Sequence, residues 1–130
     1  KILGSPASTQ KKVMVIENDP SVVTMVTMIL MRSGYQVIAS VNGDTDDADI
    51  LEEKPDVILW DNAGQSEGVF PFLNELTPES ETSIPIILLT DPDPPEEIQT
   101  RMSRLRAKDY ITKPFSAKEL LEKIAGALCA

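Results

Sequence analysis

The chain has 130 residues, enough for one domain with its own core, and its 42% apolar content is that of a globular protein. A formal net charge of −9, from 12 Lys and Arg against 21 Asp and Glu, argues against nucleic-acid binding, because phosphate contacts need clustered cations. Histidine is absent, which excludes internal His catalysis, His metal ligation and an internal phosphohistidine, and the single cysteine, Cys129, has no partner for an internal disulfide.

Residues 1–11 are small and polar, broken by Gly4 and Pro6, and read as a linker or tail. Val13-Met14-Val15-Ile16 is the first predicted strand, closed by the acidic turn Glu17-Asn18-Asp19-Pro20. Asp19 is a suitable N-cap for a helix over about 21–33, with proline in its first turn. Val22, Met25, Val26, Ile29 and Leu30 form the expected inner stripe. Val23, Met28 and Met31 lie off that stripe, so the helix is apolar nearly all round. Gly34 is its left-handed cap.

Tyr35 to Ser40 is the second predicted strand. Asn42-Gly43 turns the chain, and Asp44 starts a helix that Pro55 ends; Asp44, Asp46, Asp47 and Asp49 suit its N-terminus. Asp56-Val57-Ile58-Leu59-Trp60-Asp61 follows. Its unbroken apolar run suits a strand buried on both faces, as in a parallel sheet. A short helix is predicted over 69–76, and Ile84 to Leu89 is the fourth strand, ending in Thr90. Prolines 92, 94 and 95 delay the next helix to about Glu96, with Ile98, Met102 and Leu105 inward. Lys108 to Thr112 is the fifth strand, followed by Lys113-Pro114-Phe115. Ser116 and Glu119 form a capping box for a last helix, with Leu120, Leu121, Ile124, Ala125 and Leu128 inward. No apolar run reaches the roughly 18–20 residues that span a bilayer, so no membrane partner is expected.

Strand and helix alternate throughout. That pattern predicts an α/β fold, a doubly wound five-stranded parallel sheet with helices on both faces. In such a sheet the carboxyl ends of all strands lie along one edge, where ligands gather. Glu17, Asn18 and Asp19, then Asp61, Thr90 and Lys113 are therefore expected together. A carboxylate can attack phosphorus, a hard cation such as Mg²⁺ takes oxygen ligands, and an ammonium and a hydroxyl can hold phosphoryl oxygens.

The stretches Val15 to Pro20, Pro55 to Asp61, Ile84 to Thr90 and Asp109 to Phe115, in this order and spacing, resemble the receiver domain of two-component response regulators. The resemblance covers about Lys12 to Leu128 and makes 12–130 the domain. It implies a flavodoxin-like strand order 2-1-3-4-5. It also implies that Asp61 accepts a phosphoryl group from a phosphohistidine on a partner histidine kinase or phosphotransfer protein. Lys113 is then the family's lysine before a cis-bonded proline, Thr90 the switch hydroxyl and Tyr110 the switch aromatic. Glu17, Asn18, Asp61 and the Ala63 backbone carbonyl become the Mg²⁺ ligands. Output is implied through an interaction face, in a homodimer or toward an effector domain of a longer protein. The implied role is cytoplasmic signalling rather than enzyme catalysis.

The chain departs from the family pattern in three places. Asn18 stands where a second acidic residue is usual, so a weakened Mg²⁺ site is expected. The loop after Asp61 is shortened before Gly68, and Asp91 follows Thr90 where a small residue is usual. The alternative reading is thus a degenerate receiver, a phosphorylation-independent interaction module on the same fold. In the family the first helix docks on the kinase, so Val23, Met28 and Met31 are expected to supply an exposed docking surface.

Overall fold

A computed structural model describes residues 10–17, 19–40, 52–61, 84–105 and 107–128. The helices expected from Asp44 and over 69–76 lie outside the described residues for all or most of their length. So do Asn18, Ala63, Gly68 and Cys129.

The described residues form five strands and three helices: β1 (Lys12–Ile16), α1 (Pro20–Arg32), β2 (Gln36–Ser40), β3 (Val57–Asp61), β4 (Ile86–Thr90), α2 (Pro95–Leu105), β5 (Asp109–Thr112) and α3 (Ala117–Leu128). The strands build one sheet in the order β2-β1-β3-β4-β5, and every pairing is parallel. This is the predicted α/β arrangement. Every residue of the two central strands β3 and β4 is buried, which is why their sequences show no polar alternation.

Alternate residues divide the core into two layers, as the pleat requires. On one face Val13, Val15, Val57, Leu59, Ile87, Leu89 and Ile111 pack with Val26 and Leu30 of α1 and Leu120, Ile124 and Ala127 of α3. On the other, Met14, Ile16, Ile58, Trp60, Ile86 and Leu88 pack with Met102 of α2 and with Tyr110. Leu59 and Ile87 are wholly buried, so truncating either to alanine costs about 2–5 kcal/mol.

Helix ends form as their sequences dictate. The Asp19 carboxylate accepts from the Ser21 N–H at 2.9 Å and caps α1. At the other end the Tyr35 N–H donates to the Leu30 carbonyl and the Gly34 N–H to the Met31 carbonyl, both at 3.1 Å. That double closure is a Schellman motif, and it needs the left-handed backbone that Gly34 adopts at φ +93°. The Ser116 hydroxyl accepts from the Glu119 N–H at 3.0 Å and starts α3.

Two expected stripe positions are corrected. Met25 is 41% exposed, because the contact of α1 with the sheet is narrow and centres on Val26 and Leu30. Ala125 is also exposed, and Ala127 takes its place, since the buried stripe of α3 runs Leu120, Ile124, Ala127 at helical spacing. In α2, Ile98 is buried and Met102 half-buried as expected, whereas the Leu105 side chain lies outside the described set.

Candidate functional site at the strand ends

Register brings the site together. Ile16 of β1 pairs with Trp60 of β3, so Glu17 and Asp61 are the next residues on neighbouring strands. Asp61 pairs with Leu89, and Thr90 pairs with Thr112, the residue before Lys113. The Lys113 N–H donates to the Thr90 carbonyl at 2.9 Å, extending the ladder past β5. The Lys113–Pro114 peptide is cis.

Three charges meet here. Lys113 Nζ lies 2.5 Å from Asp61 Oδ2 and 3.4 Å from Glu17 Oε1. Glu17 and Asp61 are both buried, and the Lys113 side chain is 22% exposed, so solvent reaches the site past the lysine. Burial works against the Lys113 charge, but its hydrogen bond to Asp61 and the pull of both carboxylates outweigh that and hold its pKa above the ordinary lysine value.

Glu17 is the strained member. Desolvation, then its hydrogen bond with Asp61, push its pKa up from 4.5 to about 7. The Asp19 N–H, donating to Glu17 Oε2 at 3.0 Å, and the Lys113 charge only partly oppose this. Glu17 Oε1 is buried without a hydrogen-bond partner, Lys113 being close but not aligned to donate to it. One ammonium faces two carboxylates, so the site is short of positive charge.

That shortage fits a hard cation. Glu17 Oε1 and Asp61 are oxygen donors of the type Mg²⁺ takes. Among the described residues no three acidic, Cys or His side chains converge on one point, and Glu17 and Asp61 are the described carboxylates that would hold such an ion. The other expected ligands, Asn18 and the Ala63 carbonyl, lie outside the described residues.

Thr90 ends β4 on the opposite side of the pleat and is fully buried. Its hydroxyl donates to the Asp91 carbonyl at 3.0 Å and accepts from Arg101 Nη1 at 2.8 Å. Arg101 Nη2 donates to Asp93 Oδ2 at 2.8 Å. The Asp91 side chain itself is exposed. Tyr110 pairs in register with Leu88, shares Thr90's side of the sheet and is half-buried, with Lys123 Nζ 5.7 Å from its ring centre.

Arg101 was not among the residues the sequence singled out. A signal exists nonetheless: it sits three residues after the buried Ile98, beside Met102, and so falls on the inner stripe of α2. An arginine on an inner stripe needs a buried acceptor, and Thr90 is that acceptor.

The expected docking residues divide. Met28 and Met31 are 49% and 62% exposed, while Val23 is half-buried. Met25 joins the exposed set, and a shallow groove along α1 is lined by Ser21, Thr24, Met25, Met28, Ile29 and Arg32.

Known proteins share this fold and much of this sequence. The chain is 33% identical over 118 residues to Protein PilH of Pseudomonas aeruginosa, covering 90% of this chain and 97% of that one. It is 33% identical over 119 residues to the Escherichia coli phosphate regulon transcriptional regulatory protein PhoB, covering 91% of this chain but only 52%, about half, of PhoB. In structure it is similar to the chemotaxis protein CheY4 of Vibrio cholerae, with a TM-score of 0.78, 26% identity and coverage of 92% and 99%. It is similar too to the BeF3-activated receiver domain of Klebsiella pneumoniae RstA, with a TM-score of 0.78, 27% identity and coverage of 92% and 100%. The family model for the response regulator receiver domain matches residues 13–125. With the parallel 2-1-3-4-5 sheet and its acid–lysine edge, these matches make the chain a member of the response regulator receiver domain family of two-component signalling.

Proposed function

We propose that Asp61 is a phosphoacceptor. An Asp61 carboxylate oxygen attacks the phosphorus of a phosphohistidine on a partner kinase or phosphotransfer protein. The phosphorus–nitrogen bond breaks, the imidazole leaves with the electron pair, and an acyl phosphate forms on Asp61. The observation that carries this reading is the 2.5 Å contact from Lys113 Nζ to Asp61 Oδ2 at the end of a buried strand. That ammonium would pair with the Asp61 carboxylate and then follow a phosphoryl oxygen. Glu17 and Asp61 would hold Mg²⁺, which neutralises charge on the transferring group. Thr90 would donate to another phosphoryl oxygen, and Tyr110, on the same side, would respond by turning inward.

Output then passes through an altered protein surface. A linked effector domain is one route, since the chain matches about half of PhoB, which is a transcriptional regulator by name. Docking of the donor on the exposed Met25, Met28 and Met31 face is the matching input. The setting this role implies is cytoplasmic; among the described residues no helix is long and apolar enough to cross a membrane.

The test is direct. Incubated with acetyl phosphate and Mg²⁺, the protein gains the mass of one phosphoryl group, and Asp61→Asn does not. A wild-type protein that gains nothing at any Mg²⁺ concentration is instead a phosphorylation-independent interaction module, the reading that Asn18 in place of an acid favours.

A further inference from the structure

The geometry points to Arg101 as a positioning residue that holds the Thr90 hydroxyl in its resting place, with Asp93 holding Arg101. The inference rests on the reading of Thr90 as the hydroxyl that meets a phosphoryl group on Asp61.

A threonine hydroxyl has one proton to give. In this structure it goes to the Asp91 carbonyl, at 3.0 Å. A lone pair takes the Arg101 Nη1 proton at 2.8 Å. To donate to a phosphoryl oxygen, Thr90 must leave the carbonyl and turn its side chain, and it then gives up Arg101 as well. Hydrogen bonds to a charged donor are the stronger kind, and Thr90 is fully buried while the Arg101 side chain is 26% exposed, so leaving this bond costs Thr90 a partner that only the guanidinium can partly replace with water.

Asp93 makes the hold specific. It binds Arg101 Nη2 at 2.8 Å, so the planar guanidinium spans two acceptors with its fork fixed. Arg101 also belongs to α2, while Thr90 ends β4. The contact therefore ties a helix to the sheet edge in the resting state and is lost when Thr90 turns. Arg101 sets how much of the population switches for a given phosphoryl occupancy, and α2 is the element that is released.

Two readouts test this on the full chain. Scalar couplings to the Thr90 methyl carbon report its χ1 rotamer without any phosphodonor. Wild type should show one rotamer, Arg101→Ala averaging over several, and Asp93→Asn a smaller change of the same kind. Titration with beryllofluoride and Mg²⁺ reports the switched state. Arg101→Ala should bind it about five- to tenfold more tightly than wild type, and the gain should vanish in a Thr90→Ala background. A single unchanged Thr90 rotamer in Arg101→Ala overturns the proposal. Equal or weaker beryllofluoride binding by that variant overturns it too. Rotamer averaging with no beryllofluoride binding by any form, wild type included, upholds the Arg101 hold and overturns the phosphoacceptor reading instead.

Discussion

The two faces of the sheet end differently at the same edge. On the side packed by α1 and α3, the apolar columns finish in Glu17, Asp61 and Lys113, charges that touch one another. On the side packed by α2, they finish in Thr90, a neutral hydroxyl held by hydrogen bonds to Asp91 and Arg101. A one-residue step along a strand separates the two, because successive side chains point to opposite faces. On the proposed function, the charged side would receive the cation and the phosphoryl group, and the hydroxyl side would supply the group that turns toward it. The pleat sets the two on opposite faces of the sheet.

The comparison breaks most severely at Lys113. Lys113→Ala leaves Glu17 and Asp61 buried against each other, and at pH 8 should cost about 3 kcal/mol in urea unfolding. The loss should shrink at pH 5, where Glu17 takes up a proton. No variant on the hydroxyl side should show that pH dependence.

A second test reads Glu17 in the unmodified protein. Its folded pKa of about 7 stands above the ordinary 4.5, so the folded state holds a proton that the unfolded state releases. Stability should therefore fall as pH rises from about 4.5 to 7, by an amount on the order of 2 kcal/mol, and level off above. Glu17→Gln should flatten that slope. An unchanged slope would place its origin elsewhere.

Magnesium sharpens the same point more gently. If Glu17 holds Mg²⁺ as proposed, cation and proton compete for it, so added Mg²⁺ should stabilise the protein by about 1 kcal/mol at pH 8 and by clearly less at pH 5.5. Thermal melts at the two pH values measure the difference. The smallest effect is expected on the exposed face of α1. Met28→Lys should change stability by less than about 0.5 kcal/mol, because the side chain is already half in water. Any loss of phosphotransfer from a kinase would then reflect docking alone.

Much of this was legible in the residues themselves. The uninterrupted apolar runs of β3 and β4 announced a doubly covered parallel sheet, and topology alone then delivered Glu17, Asp61, Thr90 and Lys113 to one edge. Asp19, Gly34 and Ser116 act as caps for the local reasons that predicted them. Tertiary geometry decided the rest. The width of the α1 contact put Met25 outside, and a periodicity count could not know that width. The place of Arg101 on the inner stripe of α2 does not by itself name an acceptor. Its actual partner is eleven residues back on another element, reachable only once α2 is laid on the sheet.

One hydrogen bond gives the site a mechanical neighbour. The Asp19 backbone N–H grips Glu17, and the Asp19 side chain caps α1. A single residue thus joins the acidic corner to the first turn of the helix that carries the exposed methionines. On the proposed function, a partner seated on that helix and tilting its first turn would move Glu17, and a cation held by Glu17 would pull back on the helix. By thermodynamic reciprocity the two events would then favour or oppose each other equally. Docking and loading would then be felt as one event, with Asp19 as the short lever between them.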